Sequence, residues 1–192
     1  MLFGAVTSGL LTIMNQQLKP FKALLKRGAD VNIHNTFDGT SSLIKACSSK
    51  FYNITFVKML IEYGADVNDV EIGERRKENG TRLTPLIAAS RTGRLDLVRF
   101  LVSKGADVNY QNEFGQSALS KSVMVDEYKV AYYLLQNGAD YNRPIYYRFD
   151  NSVPIEKRDP KDKGKPMYLW DVLKEDLSEF GTSEYKYKML II

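Results

Sequence analysis

Five residues, Gly-Ala-Asp-Val-Asn, recur along this chain, and the recurrence limits its fold more than any other feature. Copies stand at residues 28–32, 64–68 and 105–109, and a fourth at 138–142 carries Tyr141 in place of valine. The four glycines are spaced by 36, 41 and 33 residues. Self-similarity at such a period marks a repeat architecture, in which each unit buries its apolar face only against its neighbours.

The residues before each glycine align as well. Four positions upstream stand Leu24, Leu60, Leu101 and Leu134, and three upstream Leu25, Ile61, Val102 and Leu135. Seven upstream are Phe21, Val57, Val98 and Ala131. These offsets trace one apolar face of a helix. Lys22, Lys58, Arg99 and Tyr132, six upstream, fall on the solvated side. Each copy therefore predicts a helix of two to three turns stopped by glycine, the residue that takes positive φ without a Cβ penalty.

A second, shorter apolar unit precedes that helix. It reads Thr84-Pro85-Leu86-Ile87-Ala88-Ala89 in the third copy, Ser41-Ser42-Leu43-Ile44-Lys45-Ala46 in the second and Ser117-Ala118-Leu119-Ser120-Lys121-Ser122 in the fourth. A hydroxyl residue followed by proline is a helix start, with the hydroxyl as N-cap and proline in the first turn. The small residues Ala46, Cys47, Ala89, Ser90 and Ser122 allow two helices to approach closely. Gly39 and Gly115 stand two residues before such starts, as a turn requires.

Turn, short helix, longer helix and the five-residue close, repeated at about 33 residues, resemble the ankyrin repeat. The resemblance is carried by Thr84–Ala89, by Gly93-Arg94-Leu95-Asp96-Leu97-Val98 and by the recurring motif, and it covers residues 18–142. It implies an all-α ankyrin-repeat solenoid of stacked helix-turn-helix units with projecting turns. About five repeats are expected, divergent caps included. The whole chain, 1–192, then forms one domain. Residues 1–32 are its N-terminal cap repeat, and 33–68, 69–109 and 110–142 its central repeats. Residues 143–192 hold a loop insertion and a divergent C-terminal repeat, with a helix starting in Lys165-Pro166-Met167-Tyr168-Leu169-Trp170. A second helix of that repeat is expected over residues 185–192, ending on Met189-Leu190-Ile191-Ile192.

Two intervals depart from the period. The closing Asn lies 9 residues before the next helix start at Asn32 and 8 at Asn109, but 16 at Asn68 and 24 at Asn142. Residues 71–82 carry four basic and three acidic side chains, and residues 143–166 carry seven and four. Together they hold the whole formal net charge of +4. Residues 145–155 alternate aromatic and polar side chains and suggest a β-hairpin insertion turning at Asp150-Asn151. Its Tyr146, Tyr147, Arg148 and Phe149 suit either a contact surface, where Tyr and Arg carry most binding energy, or a shield over the last repeat.

Little here serves catalysis. The 192 residues include one His and one Cys, which rules out a Cys-rich structural zinc site. Cys47 sits at a helix-packing position that suits an inert buried thiol. The sequence has no Gly-rich phosphate loop and no nucleophile elbow. Asp30, Asp66, Asp107 and Asp140 recur one per repeat, about 10 Å apart, and Asn32, Asn68, Asn109 and Asn142 follow the same rhythm. They serve the turn rather than a paired-carboxylate site. Asn53-Ile54-Thr55 and Asn79-Gly80-Thr81 match the short glycosylation pattern, whose default reading is chance. No enzyme activity, cofactor or metal is expected.

A stacked solenoid presents a preformed concave face and a comb of turns, and such rigidity lowers the entropic cost of association. The ankyrin resemblance likewise implies binding of another protein through turn fingers and the inner helix face. The candidate contacts are residues the stack does not need. They are His34, Thr36, Phe37 and Thr40 on the first finger, and Arg75, Arg76 and Arg82 on the second. Gln111, Glu113, Phe114 and Gln116 stand on the third. Ser48, Arg91, Thr92, Met124 and Val125 stand on the inner helix ends. Phe37 and Phe114, just before turn glycines, either meet a partner or pack on a neighbouring finger. A regulatory arm of a larger enzyme or channel is the alternative role. Nucleic acid or an anionic surface is a weaker alternative, because Arg75-Arg76-Lys77 is a short basic run. Residues 1–14 lack the cationic start of a secretory signal, and no apolar run reaches the ~18 residues of a membrane span. A cytoplasmic monomer is the expectation.

Overall fold

In a computed structural model, the structure describes residues 18–36, 38–49, 53–72, 82–149, 164–175 and 190–191. Eight named helices and one two-stranded sheet occur among them. The helices are α1 Leu18–Lys26, α2 Ser42–Cys47, α3 Ile54–Glu62, α4 Pro85–Arg91, α5 Leu95–Ser103, α6 Ala118–Met124, α7 Tyr128–Gln136 and α8 Leu169–Glu175. Strands β1 Tyr146–Arg148 and β2 Lys165–Met167 lie between α7 and α8. The all-α solenoid expected from the repeat is what is observed.

None of the helices named among the described residues exceeds nine residues. Isolated helices that short do not hold in water, so stacking must stabilise them. The short helices α2, α4 and α6 form an inner row, each packed on the next. The side chains in that contact are small: Ala46, Cys47, Ala88, Ala89, Ser90 and Ser122 are fully buried. The longer helices α3, α5 and α7 form the outer row, each packed against its own inner helix. One apolar cluster runs through both rows from Phe21 to Leu173, and the Phe21 and Phe56 rings meet edge to face at 5.0 Å between α1 and α3.

Helix starts follow the hydroxyl rule. Ser41, Thr84 and Ser117 accept from the backbone N–H of Ile44, Ile87 and Ser120. Ser120 returns the bond to Ser117, completing a capping box. Asn53, the first candidate glycosylation residue, caps α3 by accepting from Thr55 N–H at 2.9 Å. Asn79 lies outside the described residues.

The five-residue motif does two jobs. Its glycine ends the outer helix at φ between 77° and 90°. At Gly64 the bonds Gly64 N–H to Ile61 and Ala65 N–H to Leu60 form a Schellman stop. The aspartate then accepts from the Asn backbone two residues on, at 2.8 to 3.0 Å in all four copies. The asparagine side chain reaches further than its own turn. Asn32, Asn68 and Asn109 each donate to the closing glycine carbonyl of the next repeat and accept from the following aspartate N–H. These amides form rungs between repeats, a role that reading them as turn residues leaves out.

The basic side chains on the outer face also join neighbours. Lys58 lies over the Phe100 ring at 5.7 Å and Arg99 over Tyr133 at 5.4 Å. Each cation thus covers an aromatic ring of the next outer helix.

Two local expectations change. Residues 165–167 form a strand, not the start of a helix; α8 begins at Leu169, where Asp171 accepts from Tyr168 N–H. β1 pairs antiparallel with β2, Tyr146 opposite Met167 and Arg148 opposite Lys165. Its described partner is therefore some twenty residues on rather than across a local turn, and Asp150 and Asn151 lie outside the described residues. Of the helix expected over 185–192, only Leu190 and Ile191 are described, and both are helical.

Candidate functional site

The first and third fingers are small hairpins braced by hydrogen bonds. In the first, His34 bridges to Ser41 and Asn35 N–H donates to the Thr40 carbonyl. In the third, Gln111 bridges to Ser117 and Asn112 N–H donates to Gln116. Asn112 is buried, and its Oδ1 accepts from both Phe114 and Gln116 N–H, at 3.0 and 2.8 Å. Phe114 is thereby presented outward on a fixed turn.

The strand β1 rises beside that finger. A cavity of about 600 Å³ opens between them. Gln111, Glu113, Phe114 and Gln116 line one wall, Tyr146, Tyr147 and Phe149 the other, and Met124 at the end of α6 part of the floor. Four of these apolar side chains are well exposed: Phe114 43%, Met124 48%, Tyr147 39% and Phe149 38%. Arg148, on the same strand, folds back, its guanidinium donating to the Tyr146 hydroxyl at 2.9 Å. A Cβ on Gly115 would stand 3.8 Å from the Tyr147 ring, an ordinary contact, so glycine is favoured there by its φ of 74° and not by the opposite wall.

The other expected contact residues lie elsewhere. His34 Nε2 is 2.9 Å from Asp69 Oδ1, which ties the first finger to the second. Thr40 is buried and gives its hydroxyl to Asp38, and Thr92 is buried and gives its own to the Ala89 carbonyl. Both threonines therefore serve the frame and present no free hydroxyl to a partner. Thr36 is exposed on the first finger. Arg82 pairs with Glu113 at 3.1 Å, joining the second finger to the third. Arg91 lines a smaller cavity of about 290 Å³ with Lys45 and Glu71. Phe37, Arg75 and Arg76 lie outside the described residues. The base of the second finger is described: Glu71 N–H donates to Leu83 and Ile72 N–H to Gly39.

Sequence reading passed over Lys45 and Lys121. They occupy the same place in α2 and α6, four residues after the N-cap. Lys121 stands three residues before Met124, which sets the two on one helix face. Burial, and then the nearby Arg91 charge, hold the Lys121 ammonium below its ordinary value. A further apolar cavity of about 440 Å³ lies between α7 and α8, where Tyr132, Tyr141 and Trp170 meet Leu190 and Ile191. Cys47 is wholly buried, and burial pushes its thiol up, which removes it as a nucleophile. Among the described residues no group of His, Cys, Asp and Glu could hold a metal ion.

A family model described as ankyrin repeats (3 copies) matches residues 10–112 and again 70–145. The chain belongs to the ankyrin repeat family. Ankyrin repeats are protein–protein interaction modules. Among similar proteins, a putative ankyrin repeat protein of Acanthamoeba polyphaga mimivirus is 30% identical over 110 residues, spanning 57% of this chain and 65% of the relative. A putative ankyrin repeat protein of fowlpox virus is 36% identical over 97 residues, or 50% of this chain and 15% of that one. The transient receptor potential cation channel subfamily A member 1 of Homo sapiens is 32% identical over 93 residues, covering 48% of this chain and 8% of the channel subunit. The ankyrin chain thus spans under two thirds of each of these relatives. No helix among the described residues is long and apolar enough to cross a membrane.

Proposed function

We propose that this chain is a non-catalytic binding module that seats a segment of another protein in the groove between the third finger and β1. One observation supports the reading above all. Phe114, Met124, Tyr147 and Phe149 come from separate parts of the chain, yet all four stay exposed around a single cavity. Monomeric proteins rarely leave such side chains clustered unless a partner covers them. The Asn112 clamp fixes the finger before binding, so little ordering entropy is lost on association. Aromatic side chains in a preformed depression are the usual carriers of interface energy.

The test is capture from a cell lysate with two baits. One is the 192-residue protein, and the other carries Phe114→Ala, Met124→Ser, Tyr147→Ala and Phe149→Ala together. Circular dichroism checks that both baits are equally helical. A protein held by the first bait and lost from the second is the expected result. Equal capture by both baits, or recovery of nucleic acid alone, would move the binding surface away from the groove and sink the reading.

A further inference from the structure

The groove beside the third finger follows the edge of a strand. Pro144, Ile145, Tyr146, Tyr147 and Phe149 all line it, and no residue of β2 does. Successive side chains of a strand point to opposite faces, so a groove beneath one face would meet only alternate residues. Contact with both sets places the groove along an edge of β1. That edge is the one opposite β2, and among the described residues no third strand pairs with it.

The register shows what the edge offers. In an antiparallel pair, opposed residues alternate between those that exchange two backbone hydrogen bonds and those that exchange none. Tyr147 stands opposite Pro166, which has no N–H to give. Tyr147 and Pro166 are therefore an unbonded pair, and the ladder bonds fall at Tyr146 with Met167 and at Arg148 with Lys165. It follows that the Tyr147 N–H and carbonyl both point away from β2, toward the groove. The Tyr147 ring turns to the third finger, 3.8 Å from where a Cβ on Gly115 would stand. A two-stranded ribbon is marginal alone, and a third strand would strengthen it.

We propose that the partner segment, on the reading given above, binds as an extended strand added antiparallel to the outer edge of β1. Antiparallel pairing lets a single partner residue meet both the N–H and the carbonyl of Tyr147. The side chain of that residue falls on the same face as the Tyr147 ring, where Phe114 stands across the groove, so it is large and apolar. Two observations support this: a backbone donor and acceptor turned outward on one residue, and aromatic side chains placed beside them. Backbone bonds then supply affinity, and the aromatic walls select the alternate side chain.

The experiment selects peptides from a random phage library on the full 192-residue protein. The strongest binder is synthesised with a fluorescent label and titrated by anisotropy, and an N-methyl group is then placed on each of its residues in turn. Affinity should fall about tenfold or more at the residue facing Tyr147 and less than about twofold at its two neighbours, whose N–H groups point outward. On the protein, Tyr147→Ala removes the ring and keeps the N–H, whereas Tyr147→Pro removes both. Proline is tolerated on an edge strand where the ladder does not use its N–H. Tyr147→Pro should bind the peptide about tenfold more weakly than Tyr147→Ala. Hydrogen exchange at the Tyr147 amide should slow when the peptide is added. Peptides that lose affinity with Phe114→Ala or Met124→Ser, yet ignore the methyl scan and bind both Tyr147 variants equally, would overturn the strand inference and leave the groove reading standing. A Tyr147 amide already protected before peptide is added would overturn it as well, because this chain's own residues or a second copy would then hold the edge. A library without a binder, or binders indifferent to Phe114 and Met124, would overturn both. Thermal unfolding followed by circular dichroism establishes that each variant is folded, and the methyl scan, which leaves the protein unaltered, decides the matter if Tyr147→Pro is not.

Discussion

Removing a single rung of the asparagine ladder should loosen the stack by an amount the geometry allows one to work out. The Asn68 side chain accepts from Asp107 N–H at 2.7 Å and donates to the Gly105 carbonyl at 3.1 Å. Each hydrogen bond contributes about 0.5–1.5 kcal/mol net, and both are exposed, so water replaces part of the loss. Asn68→Ala should therefore cost about 1–2 kcal/mol, and with an m value near 2 kcal/mol/M the urea midpoint should fall by roughly 0.5–1 M. The loss falls between two repeats, where a solenoid has only nearest-neighbour contacts, so the transition should also broaden. Asn68→Asp sharpens the test. At pH 7 the carboxylate can accept from Asp107 N–H but has no proton for Gly105. Near pH 3 the protonated acid is again both donor and acceptor, as the amide was. Measured against the natural protein in the same buffers, its deficit should shrink as the pH is lowered. A midpoint unmoved by Asn68→Ala, or an Asp deficit equal at both pH values, would show that these bonds do not hold the repeats together.

Other changes test the remaining elements. Gly105→Ala places a Cβ that meets nothing within 4 Å, so its cost, about 1–2 kcal/mol, should come from the positive φ alone. Gly105→Asn should recover part of this, and a calorimetric Tm unchanged by Gly105→Ala would refute the helix-stop role. The Ser90 hydroxyl is buried and makes no hydrogen bond, so Ser90→Ala should stabilise by about 1 kcal/mol and raise Tm by about 2–4 °C. A fall in Tm would mean that the hydroxyl has a partner. Burial raises the Cys47 thiol above its ordinary value of 9.0. Its contribution to stability is whole below that pH and is lost as pH rises past it, because only the unfolded chain then gains a thiolate. Urea midpoints taken between about pH 7 and 10.5 should fall less steeply for Cys47→Ala than for the natural chain. Equal slopes would contradict the argument.

What could be read from the sequence was mostly what acts within one turn. The glycine stops and the hydroxyl caps at Ser41, Thr84 and Ser117 depend on residues two to five positions away, and their spacing shows it. The rungs do not, because Asn68 bonds to Gly105 and Asp107 in the next repeat. The only trace was that Asn recurs at every close, which a turn by itself does not demand. The strand at 165–167 was hidden for another reason. Pro166 looks like a first-turn helix proline, but no Ser or Thr precedes it, and the helix-start signal was instead Asp171, which caps from inside α8. Of the groove, Phe114, Met124 and the Tyr146–Phe149 stretch could be named singly. That they surround one space depends on β1 pairing with a strand far along the chain, and no local pattern carries that. Thr40 and Thr92 failed as surface residues because short hydroxyl side chains find nearby oxygens, Asp38 and the Ala89 carbonyl, before they reach solvent.

The base of the second finger has a consequence for how this chain can be altered. Glu71 meets Leu83 across it, and Ile72 is bonded to Gly39 of the preceding finger. The two ends of the intervening segment are therefore held by the stack and not by each other's length. Closure entropy grows so slowly that doubling such a segment costs only about 0.6 kcal/mol. A foreign sequence spliced between Ile72 and Arg82, whether an epitope, a fluorophore-labelling tag or a second binding loop, would be displayed from a fixed pair of posts. The repeats on either side would keep their register, and the groove at the third finger would still be open.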